Sequence, residues 1–175
     1  MTMRIDLNCD MGEGFGIYKS AFDEEIIKHV SSVSIACGFH AGDPLVMQRT
    51  VKLAKKYGVK VGSHPGFPDL MGFGRRHMAV TAAEMESYII YQTGALQAFV
   101  RAEGLELQHV KGVGGHFDTA NRDPKLVQAT IEAVRSLGKR LILVALTGSP
   151  LANAAKGQGI RIAREAFADR AYCAD

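Results

Sequence analysis

The stretch from Ser34 to Pro44, S-I-A-C-G-F-H-A-G-D-P, constrains the fold more than any other part of the chain. A strand predicted over Val33–Cys37 runs into a histidine, His40, that has glycines on both sides. The following Asp43 and Pro44 have the pattern of a helix N-cap and a first-turn proline. Strand, polar turn and helix form the repeating unit of parallel α/β proteins, which bind ligands where the strands end. The pattern therefore predicts that His40 lies at the binding end of a parallel sheet.

The same unit recurs along the chain. Polar turns follow almost every predicted strand, which favours a barrel, because a doubly wound sheet gathers its ligand groups mainly at one switch point. A full eight-fold barrel takes about 250 residues, so the 175 residues here predict a single domain, 1–175, that is one or two strands short, either as a naturally reduced barrel or as a C-terminally incomplete one. The further predicted strands are Arg4–Leu7, Val59–Gly62, Glu106–Lys111, Leu141–Leu146 and Arg161–Ala168.

Charge and composition argue against several classes of partner. The formal charge is +3 and the basic residues are scattered, which is not typical of a nucleic-acid-binding protein. No apolar run reaches the roughly 18 residues of a membrane span, and the first residues lack the apolar core of a signal peptide. Three cysteines, without a CxxC pair, are typical of reduced thiols. We therefore expect a cytoplasmic protein that binds neither nucleic acid nor a membrane.

Ionisable side chains stand at the ends of the predicted strands. His40 and His64 leave two successive strands, and Lys111 ends a third. Asp6, Asn8 and Asp10 alternate along the first strand, and the glycine-rich loop after it carries Glu13. Buried unpaired carboxylates are costly, so a ligand, a metal or a charged partner is expected beside them.

Further candidates are Arg75 and Arg76, either a solvated pair or a clamp for a carboxylate or phosphate, and Glu165 and Asp169 near the last strand.

These residue types allow two mechanisms. Asp10, His40 and His64 could hold a divalent metal that activates water. The same groups could act as general acid and base without a metal, with Lys111 or an arginine stabilising an oxyanion. Both alternatives describe hydrolysis of an amide or a related bond, and no phosphate-binding GxxxxGK(S/T) loop is present.

Several long motifs resemble those of the LamB/YcsF family, the group that contains the A subunits of 5-oxoprolinases. They are D-L-N-C-D-M-G-E, S-I-A-C-G-F-H-A-G-D-P, G-S-H-P-G-F-P-D-L-M-G-F-G-R-R, Y-Q-T-G-A-L and H-V-K, and the likeness returns at Glu165–Tyr172. The resemblance implies a seven-stranded barrel of the polysaccharide deacetylase type. It also implies ATP-dependent opening of the lactam 5-oxoproline to glutamate, performed with two other subunits and with ATP as co-substrate.

The resemblance implies a set of site residues as well. Asp10, Glu13, His40, His64 and Lys111 would line the catalytic site, and Arg76 would hold the substrate carboxylate, with Asp6, Asn8 and Arg75 as further substrate-binding candidates. Two other functions remain open: a metal-dependent amidase or deacetylase that acts alone, and a silent homologue that binds a small acid or a partner.

The segment after Lys111 departs from the family pattern. Relatives continue H-V-K with P-H-G-A-L-Y-N, whereas Val113 stands here at the histidine position and His116 follows three positions later. Glycines at 112, 114 and 115 predict a flexible loop. We expect that His116 does not replace the missing histidine and that activity is weak.

Overall fold

The computed structural model describes residues 5–172, except for the side chains of residues 116–118. In this part of the chain six parallel strands form one sheet, in which each strand pairs with the next one along the sequence. This is the parallel α/β barrel architecture that the sequence predicts, with the sheet curled and its helices outside. The strands are β1 (Asn8–Met11), β2 (Ser32–Ala36), β3 (Lys60–His64), β4 (Leu107–Val110), β5 (Ile142–Leu146) and β6 (Arg161–Glu165).

Six α-helices connect these strands in the described residues, and the N-cap predicted at Asp43 is present. The Asp43 carboxylate accepts hydrogen bonds from the backbone of Leu45 and Val46. Thr81 and Glu84 form a reciprocal capping box. The helices are α1 (Asp23–Ile26), which continues as a 3-10 turn (Ile27–His29), α2 (Pro44–Tyr57), α3 (Ala82–Ala102), α4 (Gly114–Arg122), α5 (Pro124–Leu137) and α6 (Pro150–Gly157).

The apolar core lies between the convex face of the sheet and the helices. One part packs α2 and α3 against β1, β2 and β3, and the other packs α3, α5 and α6 against the remaining strands. Within residues 5–172, no helix combines the length and the apolar character needed to cross a membrane. Since the helices cover the convex face, the polar residues of the strands are left to the concave side. The fully buried core side chains include Ile35, Val51, Ile89, Leu96, Ile131 and Leu143.

The first strand starts later than predicted. The structure places β1 at Asn8–Met11, so the prediction of Arg4–Leu7 is wrong, and Arg4 lies outside the described residues. The polar residues at 8 and 10 belong to the strand because their side chains find partners inside the curled sheet. Asp6 precedes the strand and accepts hydrogen bonds from Ser31 and Ser32.

The prediction of a flexible loop at residues 112–118 is also wrong, because α4 begins at Gly114. Val113 is buried, and its backbone N–H donates to the carbonyl of Pro65 at 2.9 Å. A Cβ at Gly115 would lie only 2.5 Å from the backbone oxygen of Gly74. The glycines therefore allow close packing of two loops rather than flexibility.

One glycine also makes room for a histidine on the concave side. Gly62 on β3 lies beside His109 on β4, and a Cβ at Gly62 would meet three atoms of the imidazole at 2.1–2.4 Å. His109 is 3 % exposed. No side chain other than hydrogen fits at position 62 while the His109 ring keeps its place.

We predict that Gly62→Ala lowers the free energy of unfolding by about 1–3 kcal/mol, because an added methyl group overpacks a filled interior. Chemical denaturation measures the effect. The control is Gly94→Ala within α3, where an added Cβ meets nothing within 4 Å. That change should instead stabilise the protein by about 0.5–1 kcal/mol. Equal destabilisation by both variants would contradict the packing at Gly62.

Candidate active site

A buried lysine lies at the centre of the polar interior. The Nζ atom of Lys111 is 2.8 Å from Oδ1 of Asp10 and 3.0 Å from Oε1 of Glu165. Burial lowers the pKa of Lys111, but the charges and hydrogen bonds of the two carboxylates outweigh burial and leave that pKa raised. Lys111 is therefore a protonated ammonium held between two strands, β1 and β6.

Asp10 also faces His64. The distance from Oδ2 of Asp10 to Nε2 of His64 is 3.4 Å. Burial raises the pKa of the Asp10 carboxyl, but His64 and Lys111 together lower that pKa by more, so the net direction is downward. Asp10 is thus an anion that can stabilise a positive charge on its imidazole neighbour.

His64 is a neutral imidazole with a defined tautomer. Burial lowers the pKa of His64 from 6.5 to about 4, although Asp10 opposes the shift. Nδ1 lies 2.6 Å from the carbonyl oxygen of Lys111, and a carbonyl can only accept. Nδ1 therefore carries the proton, and the lone pair of Nε2 points toward Asp10 and the open end of the barrel.

His40 is buried without a hydrogen-bond partner in the described residues, at 1 % exposure. Its Nε2 is 3.8 Å from Oε1 of Glu13. The His40 and His64 rings meet edge to face, with centroids 5.3 Å apart. Unpartnered buried polar atoms are rare in proteins, and they mark places where a ligand or ion binds. The loops after β1, β2 and β3 thus bring Glu13 and the two histidines to one place.

The loop after β3 covers His40. Phe73 packs edge to face on the His40 ring at 5.6 Å and has the left-handed φ of +55°. A Cβ at Gly74 would lie 2.8 Å from Cβ of His40, so the backbone approaches the histidine closely. This contact leaves little room for water on that side of the imidazole.

A buried carboxylate holds that loop in place. Asp69 accepts hydrogen bonds from the backbone of Gly72 at 2.9 Å and from Nε of Arg76 at 2.7 Å, and it also accepts from the Arg76 Nη2 group. Arg76 is therefore engaged with Asp69, although its side chain is 67 % exposed. Its neighbour Arg75 is exposed, and its guanidinium lies close to Gly114 at the start of α4.

A second polar cluster lies deeper in the barrel. The amide of Asn8 donates to Ser32 Oγ at 2.8 Å, and its Oδ1 accepts from Ser34 Oγ at 3.0 Å. Ser34 Oγ lies 3.1 Å from Nε2 of His109. Burial lowers the pKa of His109 from 6.5 to about 4. The polar groups of this cluster form hydrogen bonds with one another, one layer of side chains below Asp10 and His64.

The structure brings together five of the residues predicted for the site and separates others. Asn8 lies deeper in the barrel, and Asp6 precedes β1. Arg76 contacts Asp69, and Asp169 forms a surface ion pair with Arg170. The side chain of His116 lies outside the described residues, so its role stays a prediction. The five that converge are Asp10, Glu13, His40, His64 and Lys111.

Sequence reasoning missed Phe73, Asp69 and the participation of His109. His109 precedes Lys111 by two positions on β4, so strand alternation alone places both side chains on the same face. Asp69 and Phe73 give no such signal, because their contacts depend on how an irregular loop folds back. Glu165, in contrast, is a candidate from the sequence and lies 3.0 Å from Lys111.

The described cysteines are poor nucleophiles. Burial raises the pKa of the Cys37 thiol to about 12. The pKa of the Cys9 thiol is also raised, by burial first and then by the charges of Asp10 and Glu13. Both thiols therefore stay protonated near neutral pH, and Cys173 lies outside the described residues.

The buried His109 predicts a pH-dependent stability. The folded pKa of about 4 lies below the ordinary value of 6.5, so the unfolded chain takes up the proton first and stability is lost as pH falls from about 6.5 to 4. That pKa shift corresponds to a loss of about 3 kcal/mol in the free energy of unfolding. We expect His109→Gln, which cannot titrate, to reduce the loss measured by denaturation at pH 7 and pH 4.5. The control is His29→Gln at an exposed position, which should leave the loss unchanged. An unchanged loss in His109→Gln would contradict the prediction.

The sequence and the fold match known proteins. The model of the LamB/YcsF family matches residues 5–175. The A subunit of 5-oxoprolinase from Pyrococcus furiosus is 55 % identical over 173 residues, which cover 99 % of this chain and 68 % of the relative. The corresponding protein of Clostridium beijerinckii is 56 % identical over 169 residues, which cover 97 % of this chain and 66 % of the relative. The chain thus spans about two thirds of the length of these relatives.

Comparison of structures gives the same relation. The crystal structure of the lactam utilization protein from Thermus thermophilus superimposes with a TM-score of 0.94 at 47 % identity, over 97 % of this chain and 69 % of that one. A putative cellobiose-phosphate cleavage protein from Enterococcus faecalis shares the fold alone, with a TM-score of 0.53 at 16 % identity over 89 % of this chain and 64 % of that one. By its sequence and its fold, the chain belongs to the LamB/YcsF family.

Proposed function

We propose that this chain carries the lactam-opening site of an ATP-dependent 5-oxoprolinase, which hydrolyses 5-oxo-L-proline to L-glutamate together with two other subunits. The relatives at 53–56 % identity are named as the A subunit of 5-oxoprolinase. A lactam carbonyl is a poor electrophile, so coupling to ATP, as a co-substrate of the complex, supplies the activation. The 175 residues would contribute to this complex as one barrel domain.

The observation that carries the proposal is the arrangement of Asp10, His64 and Lys111. A neutral imidazole with a free Nε2 can take a proton, and the adjacent Asp10 carboxylate stabilises the imidazolium that results. The Lys111 ammonium, 2.8 Å from Asp10, supplies a positive charge where an oxyanion develops. Base, stabilising anion and oxyanion partner are the groups that hydrolysis of an amide requires.

The reaction then proceeds by addition and elimination. Water transfers a proton to Nε2 of His64, and its oxygen bonds to the lactam carbonyl carbon, whose oxygen becomes an anion beside Lys111. The C–N bond breaks when the ring nitrogen receives a proton, and the product is a γ-carboxylate with a free α-amine. His40, whose Nε2 lies 3.8 Å from Oε1 of Glu13, would relay that proton.

The substrate carboxylate needs a cation outside this triad. Lys111 already has two carboxylate partners, and Arg76 is engaged with Asp69. Arg75 is exposed on the loop that covers His40 and lies against the start of α4. We therefore assign the carboxylate to Arg75 rather than to Arg76.

The residues present also fit a divalent cation. One ligand atom each from Glu13, His40 and His64 lies within 4.8 Å of the others, and both ring nitrogens of His40 lack a hydrogen-bond partner in the described residues. This set contains Glu13, whereas the sequence predicted Asp10, which instead faces Lys111. A bound cation would polarise the carbonyl and lower the pKa of a water molecule. Two imidazoles and a carboxylate are ligands that Zn²⁺ and similar metals accept.

This fit favours one second candidate function, a metal-dependent amidase or deacetylase that acts without partners. The two candidates differ in what they require. The first needs ATP and the other subunits, and the second needs a metal alone. A silent homologue that binds a small acid would need neither for binding and would show no turnover.

We predict that His64→Gln in the complete complex lowers glutamate formation from 5-oxoproline and ATP by about 10²–10⁴-fold, the usual contribution of a general base. Coupled glutamate detection measures the rate. The matched control is His29→Gln, since His29 is exposed and lies outside the site. Circular dichroism verifies folding of both variants. Retained activity in His64→Gln would refute the assignment, and so would substantial ATP hydrolysis by the isolated chain.

We predict further that the purified chain binds about one equivalent of Zn²⁺ or Mn²⁺, since three protein ligands hold catalytic zinc. Elemental analysis and a rise in melting temperature report the binding without any assay of activity. Glu13→Gln and His40→Gln should abolish it, and His29→Gln should not. Metal bound equally by His40→Gln would place the cation elsewhere. No binding by the wild-type chain would exclude the cation site and favour acid–base catalysis by the protein groups.

A further inference from the structure

Lys111 connects the two outermost strands of the sheet. In the described residues the strand order runs from β1 to β6, and β1 and β6 are its two ends. Lys111 follows β4, in the middle of this order, and its ammonium reaches Asp10 on β1 at 2.8 Å and Glu165 on β6 at 3.0 Å. The side chain therefore crosses the concave interior and joins both edges of the curled sheet.

The backbone of Glu165 is held firmly where it meets Lys111. β6 pairs with β5 over five residues, and Glu165 is the last of them, opposite Leu146. Its carbonyl then accepts hydrogen bonds from the backbone N–H and from Oγ1 of Thr147, at 3.1 and 2.9 Å. The ladder and the turn after β5 thus fix the backbone from which the Glu165 side chain reaches Lys111.

The burial of Glu165 distinguishes it from its strand. The exposed fraction of its side chain is 12 %, whereas Arg161 and Arg164 on the same strand are exposed. A buried carboxylate is costly without a charged partner. Among the described residues, the ion pair of Glu165 is with Lys111. The low exposure of Glu165 and its ion pair are expected if this residue interacts with Lys111 rather than with solvent.

We propose that Glu165 is a positioning residue of the lactam-opening site, which fixes the Lys111 ammonium at the place where the oxyanion develops. The role rests on the proposed function of Lys111. Lysine has a flexible four-carbon chain and three rotatable donors. With Asp10 as its sole partner, the ammonium would be free to pivot about one contact. With Glu165 as a second partner, the ammonium is held between a carboxylate on β1 and a carboxylate on β6.

The place of this contact predicts which kinetic constant changes. In the proposed site the substrate carboxylate binds Arg75, whereas Lys111, held by Asp10 and Glu165, faces the oxyanion that forms only during the reaction. Interactions formed only in the transition state raise kcat, whereas ground-state interactions do not. Loss of Glu165 should therefore appear in kcat rather than as weaker binding.

The test compares Glu165→Gln with wild type in the complete complex. We expect kcat to fall by about tenfold or more while KM rises by no more than about twofold, the pattern of lost transition-state stabilisation. Glu165→Asp, which keeps the charge but is one methylene shorter, should recover part of the loss. The matched control is Glu132→Gln, which removes a surface carboxylate paired with Arg135 and should leave kcat unchanged. An unchanged kcat in Glu165→Gln would overturn the proposal.

A double-mutant cycle shows whether Glu165 acts through Lys111. In a Lys111→Met background, the further change Glu165→Gln should have no additional effect on the residual rate, because the two residues act as a unit. An additional loss of about tenfold in that background would mean that Glu165 acts directly or structurally, and would overturn the positioning role.

A measurement independent of turnover separates this proposal from the proposed function. Acetic anhydride labels lysine amines, and mass spectrometry quantifies Lys111 relative to the exposed Lys125. We expect Glu165→Gln to increase the labelling of Lys111 by about threefold or more, because loss of one carboxylate makes it easier for the ammonium to lose its proton and for the resulting amine to reach the reagent. Glu132→Gln should not change it. If the wild-type complex shows no turnover but the labelling changes as expected, the proposed function fails and the positioning contact stands. Unchanged labelling overturns the contact.

Discussion

The buried ammonium of Lys111 is the interaction on which the interior of this protein depends. The concave side of the sheet carries a partly exposed carboxylate from β1 and a largely buried one from β6, and an ionised carboxylate withdrawn from water is costly without a cation nearby. Lys111 compensates both at once from β4, which explains how a chain with so polar an interior folds around it. The same ion triad lowers the pKa of Asp10 and places it beside the neutral His64. The same ion pairs of Lys111 thus compensate the interior charges and arrange the candidate catalytic groups.

A second constraint acts around His40. Glycines at 66 and 74 bring backbone within van der Waals range of the imidazole, and Phe73 closes over its ring. Asp69 holds this loop through Arg76 and through the backbone of Gly72. An arginine and a buried carboxylate are therefore engaged in fixing the shape of the loop. His40 is buried, and among the described residues its ring nitrogens have no hydrogen bond, as expected of a group that binds a ligand.

Layering explains why the site lies where it does. Along β1 and β4, alternate residues point to the concave side, so Asn8 and His109 form a lower layer and Asp10 and Lys111 an upper one. In the lower layer the polar groups of Asn8 and His109 find partners within the protein. In the upper layer the unprotonated Nε2 of His64 remains available, and so do the ring nitrogens of His40, which have no hydrogen bond in the described residues. The alternation of side chains along the strands therefore separates a lower layer of structural hydrogen bonds from an upper layer of candidate catalytic groups.

Local patterns in the sequence determined the alternation of parallel strands and helices, the cap at Asp43, and the exit of Asp10, His40 and His64 at one end of the barrel. These features depend on residues close together in the chain, or on the rule that parallel strands end on the same side. The tertiary structure alone decided which groups pair. It paired Arg76 with Asp69, brought Glu13 close to His40 and His64, and made the glycine-rich segment after Lys111 the start of a helix. Such choices depend on distances between loops that are far apart in the sequence, and no local pattern encodes those distances.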